Sequence, residues 1–178
     1  DAYLPAIGYV PQDHFLFSTT IAENICFANP NFGKEKMIQA AKQAAIHEDI
    51  MQMPHGYETL VGERGISLSG GQKQRISIAR AFITDPNLLI LDDALSAVDA
   101  KTEEAILEQI RQKENHSPMV IVAHRLSSVM HADEIIVLED GQIVERGTHQ
   151  ELLDNQAWYA KMWHKQQLES NLDQRGAE

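Results

Sequence analysis

The sequence predicts an α/β protein with a mainly parallel sheet and flanking helices. Two observations carry this. The apolar runs "NLLILD" (87–92), "PMVIVA" (118–123) and "EIIVLE" (134–139) are short and unbroken, as strands covered on both faces are. They alternate with helical segments, 100–114 between the first two and 125–131 between the last two, the pattern of a parallel sheet with crossover helices.

The remaining elements follow in chain order. "AIGYV" (6–10) reads as a short strand stopped by Pro11. Residues 13–33 show no clean period. From Lys34 the pattern turns helical, with Met37, Ala41 and Ala44 on one face. A second short helix continues with Ile46, Ile50 and Met53, ended by "PHG" at 54–56. The stretch 57–71 carries four glycines and reads as loop. A helix over about 71–84 places Ile76, Ala79 and Ile83 on one face, and Pro86 disfavours helix at Asp85. Asp140-Gly141 is a two-residue hairpin signal. The C-terminal segment is helical, with Tyr159, Met162 and Trp163 forming a stripe that packing on its own domain explains.

Composition narrows the function. The 178 residues suffice for one domain, and a 43% hydrophobic content allows a packed core. A net charge of -11 argues against a broad nucleic-acid surface, which needs concentrated Lys and Arg. Cys26 is the only cysteine, so no disulfide can form within the chain, and a Cys-based zinc site is excluded as a working idea. The apolar runs are far shorter than the roughly 20 residues that span a bilayer. The opening residues have neither Met nor the features of a signal peptide, and the reading expects a piece of a longer chain.

Two stretches carry the chemistry. "LLILDDALSAVD" (88–99) runs an apolar strand into two adjacent carboxylates. Ligands of open α/β sheets sit beyond the carboxyl ends of strands, and an acid there can hold Mg²⁺; a strand-end Asp can equally cap the next turn. In "LSGGQ" (68–72), Ser69 and Gln72 fit a capping box, and two glycines let backbone N–H groups approach an anion at a helix N-terminus. An ordinary capped helix fits the same five residues.

The combination is specific. "LSGGQKQRISIARA" (68–81) resembles the signature segment of ATP-binding-cassette (ABC) ATPases, a family with a P-loop NTPase core. "LLILDDALSAVD" is similar to its Walker B strand and D-loop, "YVPQD" (9–13) to its Q-loop and "IVAHRLSS" (121–128) to its H-loop. "ETLVGERG" (58–65) resembles the loop that marks exporter-type members. The motifs follow the family's order across essentially the whole chain.

The resemblance implies a division into a core strand and Q-loop (1–13), a helical subdomain with the signature (14–84), a core with Walker B, D-loop and H-loop (85–150) and a C-terminal helix (151–178). It implies ATP and Mg²⁺ as ligands. Asp92 would hold the metal through water. Asp93 would stand at the position of the catalytic base. Gln12 would touch the metal or attacking water and report to the membrane domains. His124 would contact the γ-phosphate, although a lone His after a strand is more often packed or capping. Ser69, Gly70, Gly71 and Gln72 would reach ATP held by a partner across a dimer interface. Ser96 and Asp99 would lie in the D-loop that couples the two sites.

Two departures matter. No G-x-x-x-x-G-K-[ST] occurs. The family places that Walker A segment upstream of the Q-loop, so the N-terminal Walker A part is expected to be missing, and the piece alone is expected to bind ATP poorly in its own site. Second, Asp93 occupies a position where the family usually has Glu. Being one methylene shorter, it should fall about 1 Å short, a misplacement that costs roughly 10²-fold.

The expectation is therefore one half of a bacterial heterodimeric multidrug ABC exporter, with a weak site of its own and a signature serving its partner. Its partners would be a second half-subunit and its own upstream transmembrane domain, at the cytoplasmic face of the inner membrane. No nucleic-acid partner is expected. The competing readings are a purely regulatory nucleotide-binding half and a soluble ABC ATPase acting on nucleic acid or ribosomes, against which the acidic balance and "VGERG" argue.

Overall fold

A computed structural model describes residues 7–62, 65–111 and 118–175, with side chains to residue 172. Glu63 and Arg64 of the loop before the signature, and residues 112–114 of the helix expected over 100–114, lie outside the described residues. The chain divides into two compact units, Asp1–Ala123 and His124–Glu178.

The first unit is built on a three-stranded parallel sheet: β1 (Ile7–Val10), β2 (Leu88–Asp92) and β3 (Met119–Val122), with β2 in the middle. Val10 pairs with Leu91, and Asp92 pairs with Val122. One face, with Val10, Leu89 and Leu91, is buried in the main core. The opposite face carries Tyr9, Val120 and Val122, all about half exposed. The sequence reading expected cover on both faces; in the described structure the helices fill the core from one.

The helices of this unit are α1 (Ile21–Ile25), α2 (Lys34–Gln43), α3 (His47–Met51), α4 (Gly70–Phe82) and α5 (Ala100–Arg111). α1 falls where no period was legible. Its start was nevertheless written in the chain: Thr20 accepts from the Glu23 N–H at 3.1 Å, and Glu23 reaches back to the Thr20 N–H at 3.2 Å. α4 begins with the same device at Ser69 and Gln72. It ends as Pro86 requires, with Asp85 leaving the helix at φ +51. Ile76, Ile78, Ala79 and Ile83 are wholly or almost wholly buried, as are Ile21 and Ile25 of α1 and Ala40 and Ala41 of α2. The helical segment thus shares one core with the sheet.

The second unit differs from the expected alternation. The strand expected over 134–139 forms as β4 (Ile135–Glu139), but its neighbour is β5 (Gln142–Gly147), antiparallel. The reason is local: Asp140 (φ +48) and Gly141 (φ +77) make the left-handed two-residue turn that folds a strand onto its successor. The helix expected over 125–131 is reduced to a single 3₁₀ turn at Leu126–Ser128. The C-terminal segment is two helices, α6 (His149–Asp154) and α7 (Trp158–Arg175), with Gln156 at φ +53 between them. Tyr159, Met162 and Trp163 pack on Leu126, Ile135, Val137 and Leu152, as the stripe predicted. The Tyr159 hydroxyl meets His149 Nδ1 at 2.8 Å.

Ile78 has no exposed surface and sits in the core shared by α4 and the sheet. Ile78→Ala should cost about 2–5 kcal/mol, the usual range for truncating a buried aliphatic residue. Urea unfolding should show a lower midpoint at unchanged slope.

Candidate functional site

The parallel pairing brings the carboxyl ends of β1, β2 and β3 to one edge, where ligands of such sheets bind. Asp92, the last residue of β2, is half-buried. The Tyr9 hydroxyl donates to its Oδ2 at 3.2 Å. That hydrogen bond to a carboxylate, with some burial, raises the Tyr9 hydroxyl above its ordinary pKa. Asp93 still donates its N–H to the Val122 carbonyl at 2.8 Å, then turns out of the sheet at φ +47. Asp tolerates this left-handed conformation better than most residues. Gln12, two residues past β1, places Nε2 3.5 Å from Asp93 Oδ2. The structure thus places Gln12 beside Asp93, which follows Asp92 at the end of β2.

His124 opens the second unit. Its carbonyl accepts from Gln166 Nε2 at 2.8 Å, and the Gln166 Oε1 accepts from the Leu126 N–H at 2.9 Å, so α7 holds the segment that carries it.

Among the described residues no three His, Cys, Asp or Glu side chains cluster as a metal cage. Mg²⁺ needs no such cage, since it is held by one or two carboxylates together with water and substrate phosphates. Asp92, with the Gln12 amide nearby, offers that hard-oxygen donor set.

The signature segment is organised around its own cap. Ser69 Oγ accepts from the Gln72 N–H at 3.2 Å, and Gln72 Oε1 accepts from the Ser69 N–H at 3.0 Å. The first-turn N–H groups, those of Gly70 and Gly71 included, have no acceptor within the helix and face outward along the axis. The two glycines differ. A Cβ on Gly71 would lie 2.8 Å from the Ala97 carbonyl oxygen, whereas one on Gly70 would meet only the Ala97 methyl at 3.6 Å. Gly71 is therefore required by its own chain.

Gln72 also turns inward, with Nε2 on Asp49 Oδ1 at 3.2 Å. Asp49 receives the Arg75 fork at 3.0 and 3.1 Å, and Arg75 donates further to the Ala45 carbonyl at 2.5 Å. Burial alone would push the Asp49 carboxyl up. The hydrogen bonds from Arg75 and Gln72 and the Arg75 charge outweigh it and hold the carboxyl below its usual range. This network ties α3 to the first turns of α4. In the D-loop, Ser96 Oγ donates to the Asp93 carbonyl at 2.9 Å. Asp99 accepts from the Thr102 N–H at 3.0 Å, capping α5, and that contact holds its carboxyl below the usual range.

Sequence reading missed Tyr9, Asp49, Gln74 and Arg75. For Gln74 a signal existed: with Ile78 and Ala81 it forms an i, i+4, i+7 row that is buried throughout, and a polar residue in such a row needs partners. Asp49 and Arg75 lie 26 residues apart, and nothing local pairs them.

Comparison with known proteins agrees with this arrangement. The family described as "ABC transporter" matches residues 2–96. The chain is 54% identical over 91% of its length to a "probable multidrug resistance ABC transporter ATP-binding/permease protein" of Bacillus subtilis, and spans 28% of that protein. It is 49% identical over 97% of its length to a "multidrug resistance-like ATP-binding protein" of Escherichia coli, spanning 29% of it. Among solved structures, a bacterial Atm1-family ABC exporter with ATP bound superposes with a TM-score of 0.85 at 43% identity, covering 91% of this chain and 28% of that one. The chain thus spans less than a third of each of these proteins.

The Asp49 network gives a pH-dependent prediction. A carboxyl held low in the folded state stabilises the fold above its unfolded pKa, near 3.8 here, and that stabilisation is lost as pH falls through the lower folded value. Asp49→Asn should cost about 1–3 kcal/mol at neutral pH, nearer the lower end because water reaches part of the side chain. The difference from wild type should shrink below about pH 4 in urea titrations at stepped pH.

Proposed function

The chain belongs to the ABC transporter family, and from that premise we propose that it is the nucleotide-binding part of an ABC exporter half-subunit. In this reading, ATP binding and hydrolysis drive export of drugs or lipid-like compounds through a transmembrane domain elsewhere in the full protein. The carrying observation is the common edge at which Gln12, Asp92 and Asp93 meet, in the same unit as the LSGGQ helix start.

Roles follow from placement. Asp92 holds Mg²⁺ through water, and Mg²⁺ when bound neutralises charge on the phosphates. The Tyr9 hydroxyl fixes the orientation of that carboxylate. Asp93 polarises the attacking water, with Gln12 beside it. A general base contributes about 10²- to 10⁴-fold only within hydrogen-bond reach, and the short Asp93 side chain makes this chain's own site slow. His124, in the H-loop-like segment, contacts the γ-phosphate in this reading. Ser69, Gly70 and Gly71 present the α4 N-terminus to ATP held by a second half-subunit, and Gln72 maintains the cap from which they project. Ser96 and Asp99 belong to the loop joining the two sites. The assembly is a heterodimer whose partner supplies a Glu in the Asp93 position, at the cytoplasmic face of a bacterial inner membrane. The relatives named as multidrug proteins support the substrate class.

Two predictions test this. In the full-length pair, Asp93→Glu should raise hydrolysis by at least about ten-fold, since roughly 1 Å of misplacement can cost 10²-fold. No rise would rule out carboxylate length as the cause of a slow site. Gly70→Asp should nearly abolish turnover of the pair while leaving the melting temperature almost unchanged, because a side chain there meets its own chain only in ordinary contact. Unchanged turnover would sink the cross-dimer signature. Gly71→Asp is the poorer probe, since the Ala97 carbonyl opposes any side chain.

A further inference from the structure

Gln74 has no exposed surface, yet it is a polar residue in the middle of α4's buried row. Its amide is fully used. Oε1 accepts from the Ala97 N–H at 2.8 Å. Nε2 donates to Ser96 Oγ at 3.2 Å and approaches the Asp93 carbonyl at 3.4 Å. The Ser96 hydroxyl passes the chain of bonds to the same Asp93 carbonyl. The amide orientation is dictated by its partners: the Ala97 N–H needs an acceptor, and the Asp93 carbonyl needs a donor.

Asp93 needs such support. A non-glycine residue at φ +47 is costly and persists where its neighbours over-determine it. Its N–H is fixed by Val122 and its carbonyl by Ser96 and Gln74. One turn earlier on α4, the close approach of Gly71 to the Ala97 carbonyl seats the same loop on the same helix. The loop therefore has two anchorages on the helix, one steric and one hydrogen-bonded.

We propose that Gln74 is a positioning residue that joins the Asp93 loop to the signature helix, so that the half-site this chain keeps and the half-site it lends shift as one body. This rests on the reading that Asp93 and LSGGQ serve two different ATP sites. An uncharged amide performs the coupling, so it does not depend on pH. A Leu of similar size would fill the space but leave the Ala97 N–H without its acceptor and remove the Gln74 donor from Ser96 Oγ and the Asp93 carbonyl.

The test uses the full-length half-subunit assembled with its partner. Gln74→Leu should lower kcat about ten-fold or more while KM for ATP stays within about three-fold, the pattern of an interaction needed in the transition state. Adding Ser96→Ala to Gln74→Leu should cost less than about two-fold more, because both act through one network. Ile78→Ala, a purely packing change on the same helix, should lower the melting temperature but keep kcat below that temperature. If Gln74→Leu does not fold, Gln74→Glu, which keeps only the acceptor, and Ser96→Ala must each lower kcat several-fold. A kcat near wild type in Gln74→Leu, or in both substitutes, overturns the inference. So does a kcat loss that Ile78→Ala reproduces. A wild-type pair without ATP hydrolysis overturns the exporter reading instead, and the two failures are thus distinguishable.

Discussion

The parallel pairing of β2 with a strand on each side sets where the candidate groups of the first unit stand. Because Leu91 lies opposite Val10 and Asp92 opposite Val122, the chain leaves β1 and β2 at one edge. A one-residue slip would turn Asp92 onto the face that Leu89 and Leu91 occupy and bury it in the core. Residues 88–91 are apolar on both faces, so what opposes that slip is the cost of burying the Asp92 carboxylate. The packing that stabilises the sheet therefore also aims the carboxylates. The placement of the carboxylates depends on register, and register depends on which face of β2 can carry Asp92.

The helical segment uses the same economy. α4 contributes its apolar face to the core, its first turn to the candidate anion site, and one buried amide to the D-loop. Arg75 and Asp49 brace the first turns from the other side. The Gln74 amide and the Arg75–Asp49 contacts are polar, directional and partly or wholly shielded from water, so they specify geometry more than they add stability. A helix held at its start by two networks is suited to carrying small displacements from one binding edge to another.

Asp93 joins two properties that seem opposed. Its backbone is tightly held, with a left-handed φ and hydrogen bonds to Val122, Ser96 and Gln74 at its N–H and carbonyl. Its side chain is one methylene shorter than Glu, so the proposed role of Asp93 as a base would join a tightly held loop to slow chemistry.

The family resemblance pointed to Gln12 and Asp93; the sequence by itself determined the α/β class, the strands, the capped start of α4, the turn at Asp140-Gly141 and Asp92 as a strand-end candidate. All of these rest on local chemistry or on periodicity within a few residues, which a linear reading captures. Even α1 was legible in this way, through Thr20 and Glu23, although its five residues are too few to show a period. Tertiary structure alone decided that Tyr9 orients Asp92, that Asp49 meets Arg75 and that Gln74 holds the Asp93 loop. These depend on partners far apart along the chain, 83 residues for Tyr9 and Asp92, and on which faces packing leaves opposed. A side chain's type declares what it can bond to. Only the folded chain decides which partner comes within reach.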